Sequence, residues 1–219
     1  MKALPVLQLL FLATLVATTQ GSFELDLADK IIHLLQPKSG SGGSHVGNIS
    51  CLSWRLGVET HNIIDWTTIP AACEGYVGHY MLGDQYRKDS AVVTHEAYVY
   101  AEGLNLTNDG NKLWVFDVDE TTLSNLPYYA KHGFGGESQR NVTETNLKNA
   151  GYDTWETLIL KGSSYSGNTS VVYKSAERTK LEESGYTIIG NIGDQWSDLI
   201  GTSVGNRTFK LPDPMYYIS

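Results

Sequence analysis

Apolar and polar residues alternate in blocks along the second half of the chain, and each block has the length of one strand or one helix. Four apolar runs predict strands, and two amphipathic stretches between them predict helices. The predicted strands are "KLWVFDVD", "TLILKG", "YTIIGNIGD" and "RTFKLP", and the predicted helices are "TETNLKNAG" and "YKSAERTKLEESG". Strands and helices in alternation are typical of a parallel sheet with helices on its faces. The pattern therefore predicts an α/β fold with a Rossmann-like parallel sheet covered by helices on both faces.

The first half of the chain is predicted to be helical. Residues 22–49 begin with the amphipathic stretch "FELDLADKIIHLLQP" and continue into the Gly/Ser-rich linker "SGSGGSHVG". The spacing of apolar residues between Gly75 and Glu102 predicts one or two further helices. We expect one folded domain, spanning residues 50–219.

The first 21 residues have the pattern of a secretory signal peptide. Lys2 precedes an apolar run from Leu4 to Ala17, and small residues lead to Gly21, where we expect cleavage. The alternative is a membrane anchor, but the run is shorter than the about 20 residues that a bilayer requires. The expected location is the secretory pathway, and hence the extracellular space or the vacuole, without membrane association after cleavage.

The mature chain is acidic. The sequence has 16 Lys and Arg residues against 24 Asp and Glu residues, and loss of Lys2 with the signal peptide leaves a formal charge of −9. Such a surface repels nucleic acid, which excludes nucleic-acid binding as a function. In a secreted chain, Asn-X-Ser/Thr sequons are candidate glycosylation sites. Five are present, at Asn48, Asn105, Asn141, Asn168 and Asn206.

The two cysteines, Cys51 and Cys73, lie 22 positions apart without a nearby histidine. An oxidising compartment favours a disulfide between them over a zinc site, and a pair of buried free thiols is the remaining alternative. Five of the six histidines precede the central strand, and none forms an i, i+4 pair. We therefore interpret the histidines as structural.

Carboxylates follow two of the predicted strands. Asp117 and Asp119 come directly after "KLWVF", and Asp194 and Asp198 follow "YTIIGNIG". Because ligands of a parallel sheet bind at the carboxyl ends of its strands, we expect these acids at one rim. Oxygen ligands without His or Cys favour Mg²⁺. The alternative is a surface turn of solvated acids.

A carboxylate held beside Mg²⁺ has a specific chemical use. It can attack phosphorus and form an aspartyl phosphate, because the metal offsets the repulsion between two anions. A second carboxyl two residues further on can donate a proton to the leaving alkoxide and then accept one from water. The spacing of Asp117 and Asp119 fits this division of roles.

Several motifs together resemble known phosphohydrolases. "DVDET", "YKSAER" and "GNIGDQWSD" resemble the motifs of the haloacid dehalogenase (HAD) superfamily. More narrowly, the chain resembles the plant acid phosphatase and vegetative storage protein family in "WVFDVDETTLSNLPYYAKHGFG", "NVTETNLKNAGY", "GDQWSDL" and "FKLPDPMYYI". The resemblance covers nearly the whole chain from Cys51. It implies a HAD-like fold and Mg²⁺-dependent hydrolysis of small-molecule phosphate monoesters.

The resemblance also implies a role for each matching residue. Asp117 matches the nucleophile and first metal ligand, and Asp119 matches the general acid and base, whose backbone carbonyl is expected on Mg²⁺. Lys174 matches the lysine that stabilises the phosphoryl charge. Asp194 matches the metal ligand of the last acidic motif, and Asp198 is expected to support it by contacting the ligands rather than the metal, or through water.

The chain departs from the family between the central strand and "TLILKG". The family has a small cap segment there, and a further strand that ends in Ser or Thr within "TGR" or "SGR"; this sequence contains neither. The junction "GFGGESQRNVTETNL" resembles one from which some tens of residues have been removed. Ser138 and Thr143 are candidate substitutes for the missing hydroxyl. We expect "TLILK" to take the vacant place beside the Asp117 strand, since the intervening segment exceeds the dozen or so residues that a crossover needs.

Two functions stay open. The first is an acid phosphatase acting through Asp117, with activity impaired by the missing motif, and the second is a storage-type glycoprotein with the same fold and little turnover. Lys161 is the alternative to Lys174. "GTSVG" matches a nucleophile elbow around Ser203, but no His follows residue 132, which excludes a serine hydrolase of that order. The sequence leaves open the phosphate ester used and whether the chain forms a homodimer.

Overall fold

The computed structural model describes residues 45–47, 49–106, 110–124 and 140–219. The predicted signal peptide, the predicted helix "FELDLADKIIHLLQP", Asn48 and Ser138 lie outside these residues. In chain order the described elements are β1 (His45–Val46), β2 (Ile49–Ser50), α1 (Cys51–Glu59), α2 (Glu74–Leu82), α3 (Asp84–Glu102), β3 (Lys112–Phe116), α4 (Arg140–Asn149), α5 (Ser170–Glu183), β4 (Thr187–Gly193), α6 (Trp196–Leu199) and β5 (Thr208–Lys210).

The main sheet is parallel and has the strand order β3-β4-β5. β4 is the central strand and is buried from Ile188 to its end, as its nearly continuous apolar run predicts. Gly190 of β4 lets the sheet accept the Trp114 ring, because a Cβ at this position would lie 2.5 Å from that ring. The observed α/β fold with a parallel sheet confirms the predicted HAD-like class.

Helices cover both faces of the sheet. Successive residues of a strand point to opposite faces. Ile192 packs in one apolar cluster with Ala97 and Ala101 of α3. The preceding residue, Asn191, donates a hydrogen bond to the backbone of α6 on the other face. Burial of a side chain as large as that of Ile192 stabilises the fold by about 1.5–3 kcal/mol, which helps to hold α3 on its face of the sheet.

The predicted place of "TLILK" is wrong. Residues 157–161 have no regular secondary structure, and β3 pairs only with β4 among the described strands. The Tyr173 hydroxyl donates to the carbonyl of Ile159 at 3.3 Å, so a side chain meets this carbonyl instead of a neighbouring strand. The Lys161 ammonium donates to the carbonyl of Asn168 at 2.7 Å, which ties the end of the segment to the loop before α5. These contacts tie the segment to α5 and to the loop before it, and among the described residues it forms no strand paired with β3.

The predicted disulfide joins the start of α1 to the residue before α2. Cys51 and Cys73 are bonded, and both are fully buried. The Ser50 side chain caps α1 by accepting from the Ser53 amide at 3.2 Å, which places Cys51 at the first turn. Closing a loop of this length stabilises a fold by about 3 kcal/mol. No helix in the described part of the chain is both long and apolar enough to cross a membrane.

Candidate active site

Two parallel strands deliver the acids to one rim of the sheet. β3 ends at Phe116, and the Asp117 amide still donates to the Ile192 carbonyl at 3.0 Å, which keeps Asp117 beside β4. Asp194 directly follows the last residue of β4. Carboxylate oxygens of Asp117, Asp194 and Asp198 lie within 4.8 Å of one another. The structure thus brings together three of the four acids that the sequence points to as metal ligands.

Asp119 and Glu120 lie in the turn after Asp117 and are not part of this group of three carboxylates. Glu120 has φ = 55°, in the left-handed region, and its buried carboxylate accepts from the Ser124 hydroxyl at 3.2 Å. The side chain of Asp119 is exposed at the mouth of the turn. The Thr121 hydroxyl donates to Asp194 at 3.2 Å, which links the first acidic loop to the second.

A lysine from α5 completes the cluster. The Lys174 ammonium donates to Asp117 Oδ1 at 2.9 Å and also contacts Asp198. Burial alone would lower the pKa of Lys174, but the two carboxylates outweigh burial and raise this pKa above its ordinary value. Lys174 is therefore a cation at the site. Lys161, the alternative from the sequence, is exposed and bonded to the loop before α5.

Two carboxyl groups of the cluster, those of Asp194 and Asp198, are buried. Burial raises the pKa of Asp194 well above its ordinary value, and the neighbouring Asp213 and Asp117 raise it further. Burial also raises the pKa of Asp198 to about 6, with a further rise from Asp117. When all three carboxyls are ionised, three negative charges surround one lysine and leave an excess of negative charge. A hard divalent cation such as Mg²⁺ fits this oxygen-only donor set.

Sequence reasoning missed two side chains that hold Asp198 in place. Arg178, only 4% exposed, donates from its guanidinium to the backbone carbonyls of Asp198, Ile200 and Thr202. The Asn191 amide donates to the same Asp198 carbonyl at 2.7 Å. The signal for Arg178 was its position four residues after Lys174, which puts both on one face of a helix.

Replacing Arg178 with alanine is expected to destabilise the protein by about 3 kcal/mol, because buried backbone carbonyls lose their charged donor. Urea unfolding with the disulfide intact measures this change. Arg178→Lys should recover only part of the loss, since an ammonium cannot reproduce the planar fork of the guanidinium. An alanine variant as stable as the unmodified chain would contradict the proposed clamp.

Other predicted site residues stay predictions. Asn105, Asn168 and Asn206 are exposed, as a glycosylation site requires, and Asn141 lies on α4. Thr143 is buried on α4, and its use as a substitute hydroxyl is untested.

Comparison with known proteins gives one family. Residues 38–139 and 136–219 match the model of HAD superfamily, subfamily IIIB (acid phosphatase). The chain is 41% identical over 214 positions to acid phosphatase 1 of Solanum lycopersicum, covering 78% of this chain and 84% of the relative. It is 39% identical over 273 positions to vegetative storage protein 1 of Arabidopsis thaliana, covering 100% of this chain and 99% of the relative. It is 41% identical over 222 positions to the stem 28 kDa glycoprotein of Glycine max, covering 80% of this chain and 87% of the relative.

The same comparisons locate an internal gap. The alignment with vegetative storage protein 1 spans 273 positions and this chain has 219 residues, so at least 54 positions of the alignment lie opposite gaps in this chain. The family model matches in two pieces that meet at residues 136–139, the junction where the sequence predicts a lost segment. The chain is therefore a member of the acid phosphatase family of HAD subfamily IIIB, shortened by an internal segment.

Proposed function

We propose that the protein is an acid phosphatase that hydrolyses small phosphate monoesters through Asp117. One observation carries the proposal: carboxylates from two distant loops meet at one rim, and the Lys174 ammonium bonds the carboxylate of Asp117. A single solvated turn of acids would not bring a half-buried lysine and two strand ends to one point. Membership of an acid phosphatase family supports the same reaction class.

In this proposal each residue has a defined role in the reaction. A carboxylate oxygen of Asp117 attacks phosphorus, the new O–P bond forms, and the bond from phosphorus to the ester oxygen breaks. Asp119 gives its proton to the leaving alkoxide, and its exposed position lets it reach a substrate that enters from solvent. Water then attacks the aspartyl phosphate while Asp119 accepts its proton, which releases phosphate and restores Asp117. Lys174 offsets the negative charge on the transferring phosphoryl group.

Asp117 and Asp194 would hold Mg²⁺, with the Asp119 carbonyl as a third ligand and Asp198 in support. When bound, the ion offsets the repulsion between the carboxylate of Asp117 and the phosphate dianion. Without a cation, Asp117 is held by Lys174, which keeps the carboxylate at the rim.

A second candidate function is a storage-type glycoprotein with little turnover. The internal gap favours it, because the family's Ser or Thr motif and its strand belong to the missing part. Loss of one such phosphoryl-binding donor reduces turnover by about 10² to 10³-fold. The full-length similarity to a vegetative storage protein is a further reason to keep this candidate.

Hydrolysis of p-nitrophenyl phosphate at mildly acidic pH separates the two functions. We expect turnover above the protein-free blank with Mg²⁺, loss of that turnover after dialysis against EDTA, and its return when Mg²⁺ is added back. Turnover that EDTA does not change would contradict the metal-assisted mechanism. No turnover at saturating Mg²⁺ would favour the storage function.

We also propose that the mature chain is a glycoprotein of the secretory pathway, extracellular or vacuolar. The buried disulfide is typical of proteins that fold in an oxidising compartment. Accessible sequons at Asn105, Asn168 and Asn206 agree with that route.

A further inference from the structure

The last nine residues of the chain pack irregularly but are mostly buried. Leu211 to Met215 are buried without forming a helix or a strand. Asp213 is only 2% exposed. A carboxylate in such a place is costly unless hydrogen bonds satisfy it. Asp213 meets this need by accepting from the Met215 amide at 2.8 Å and from the Gln195 side chain at 2.9 Å.

Gln195 connects this buried carboxylate to the cluster at the rim. Its Nε2 donates to Asp213 and also to Asp194 Oδ2, each at 2.9 Å. Its Oε1 accepts from the Ile218 amide at 3.1 Å. Because a backbone N–H occupies the oxygen end, the amide cannot flip without losing a bond, and its two N–H groups are directed to the two carboxylates. The C-terminal segment thus sets the orientation of Gln195.

Asp194 is consequently held on both of its oxygens. Oδ1 accepts from the Thr121 hydroxyl at 3.2 Å, and Oδ2 accepts from Gln195 and, at 3.4 Å, from the Tyr216 hydroxyl. Gln195 is oriented by Asp213 and Ile218, and Tyr216 lies in the same segment, so two of the three donors depend on residues after β5. Hydrogen bonds to both oxygens restrict rotation of the Asp194 carboxylate beside Asp117 and Asp198.

We propose that Gln195 and Asp213 are positioning residues for the metal ligand Asp194, so that the C-terminal segment is a functional part of the cation site. The inference rests on the proposed Mg²⁺ site. Residues that orient a metal ligand without touching the metal change metal affinity by about 10 to 100-fold when they are replaced. Asp213 acts on Asp194 in two ways, because it fixes the amide that bonds Asp194 and its own carboxyl is also a hydrogen-bonded neighbour of Asp194.

Mg²⁺ binding to the mature chain, measured by titration calorimetry without substrate, tests the proposal. Gln195→Met keeps the side-chain length and removes the donor, and Asp213→Asn places an amide N–H against the Gln195 amide or the Met215 N–H. We expect both variants to bind Mg²⁺ about 10 to 100-fold more weakly than the unmodified chain. Tyr100→Phe is the matched control, since it removes one buried hydrogen bond to β4, at Ile189, and leaves Asp194 untouched. Its Mg²⁺ affinity should not change.

Unfolding by urea, followed on the same samples, separates positioning from stability. Variants that are less stable but bind Mg²⁺ as the unmodified chain does would overturn the inference and leave the proposed function intact. An unmodified chain that binds no Mg²⁺ would overturn the proposed metal site, and the inference with it. If Gln195→Met does not fold, the Mg²⁺ affinity of Asp213→Asn decides whether the inference holds.

Discussion

Replacing Asp117 with asparagine is expected to reduce turnover of p-nitrophenyl phosphate by at least about 10³-fold. An amide oxygen is a far weaker nucleophile than a carboxylate, so the aspartyl phosphate cannot form. The variant should still fold, because asparagine has nearly the shape of aspartate and the Asp117 backbone amide keeps its bond to Ile192. Initial rates at saturating Mg²⁺ measure the loss, and thermal unfolding checks the fold.

Glu177→Gln provides the matched control for this experiment. Glu177 lies on the same helix as Lys174 but accepts from Tyr165 and Lys180 instead of the cluster. Its replacement should leave turnover within about twofold, as expected for a surface position. If Asp117→Asn hydrolyses the substrate as fast as this control, Asp117 is not the nucleophile.

Restoring the internal segment is expected to raise turnover by about 10² to 10³-fold. The matching segment of the Solanum lycopersicum relative would be inserted between Gly136 and Glu137, where the two pieces of the family match meet. The family resemblance implies that this segment carries the Ser or Thr that binds the transferring phosphoryl group, and a strand that would lie beside β3. Rates of the long and short chains at equal Mg²⁺ give the measurement.

An insertion in which that Ser or Thr is replaced by alanine separates chemistry from stability. This control restores the strand without the hydroxyl, so it should gain stability but only a small part of the rate. Equal rates for the short chain, the control and the full insertion would show that the missing motif does not limit turnover.

The sheet was predictable because its central strand is a long apolar run and its neighbours follow the same alternation of strands and helices. β3, β4 and β5 all fall on predicted runs. The meeting of Asp117 with Asp194 then followed from a general property of parallel sheets, that strand ends share one rim. Lys174 could be assigned only by resemblance, because an exposed lysine on a helix has the same local sequence.

The parts of the fold and of the site that were not predicted depend on contacts that the local sequence does not encode. "TLILK" is a short apolar run whose pattern does not show that the Tyr173 hydroxyl of α5 bonds the Ile159 carbonyl. Arg178 bonds backbone carbonyls, which any residue could provide, so composition gives no sign of its partners. Gln195 and Asp213 lie 18 positions apart, and only the path of the C-terminal segment brings them together.

Anomalous X-ray diffraction from crystals soaked in Mn²⁺, a substitute for Mg²⁺, tests most directly whether the two acidic loops share one divalent ion. The account predicts a single strong peak among the carboxylates of Asp117, Asp194 and Asp198, next to the carbonyl of Asp119. Crystals that bind Mn²⁺ elsewhere, or show no peak between these loops at saturating Mn²⁺, would contradict it.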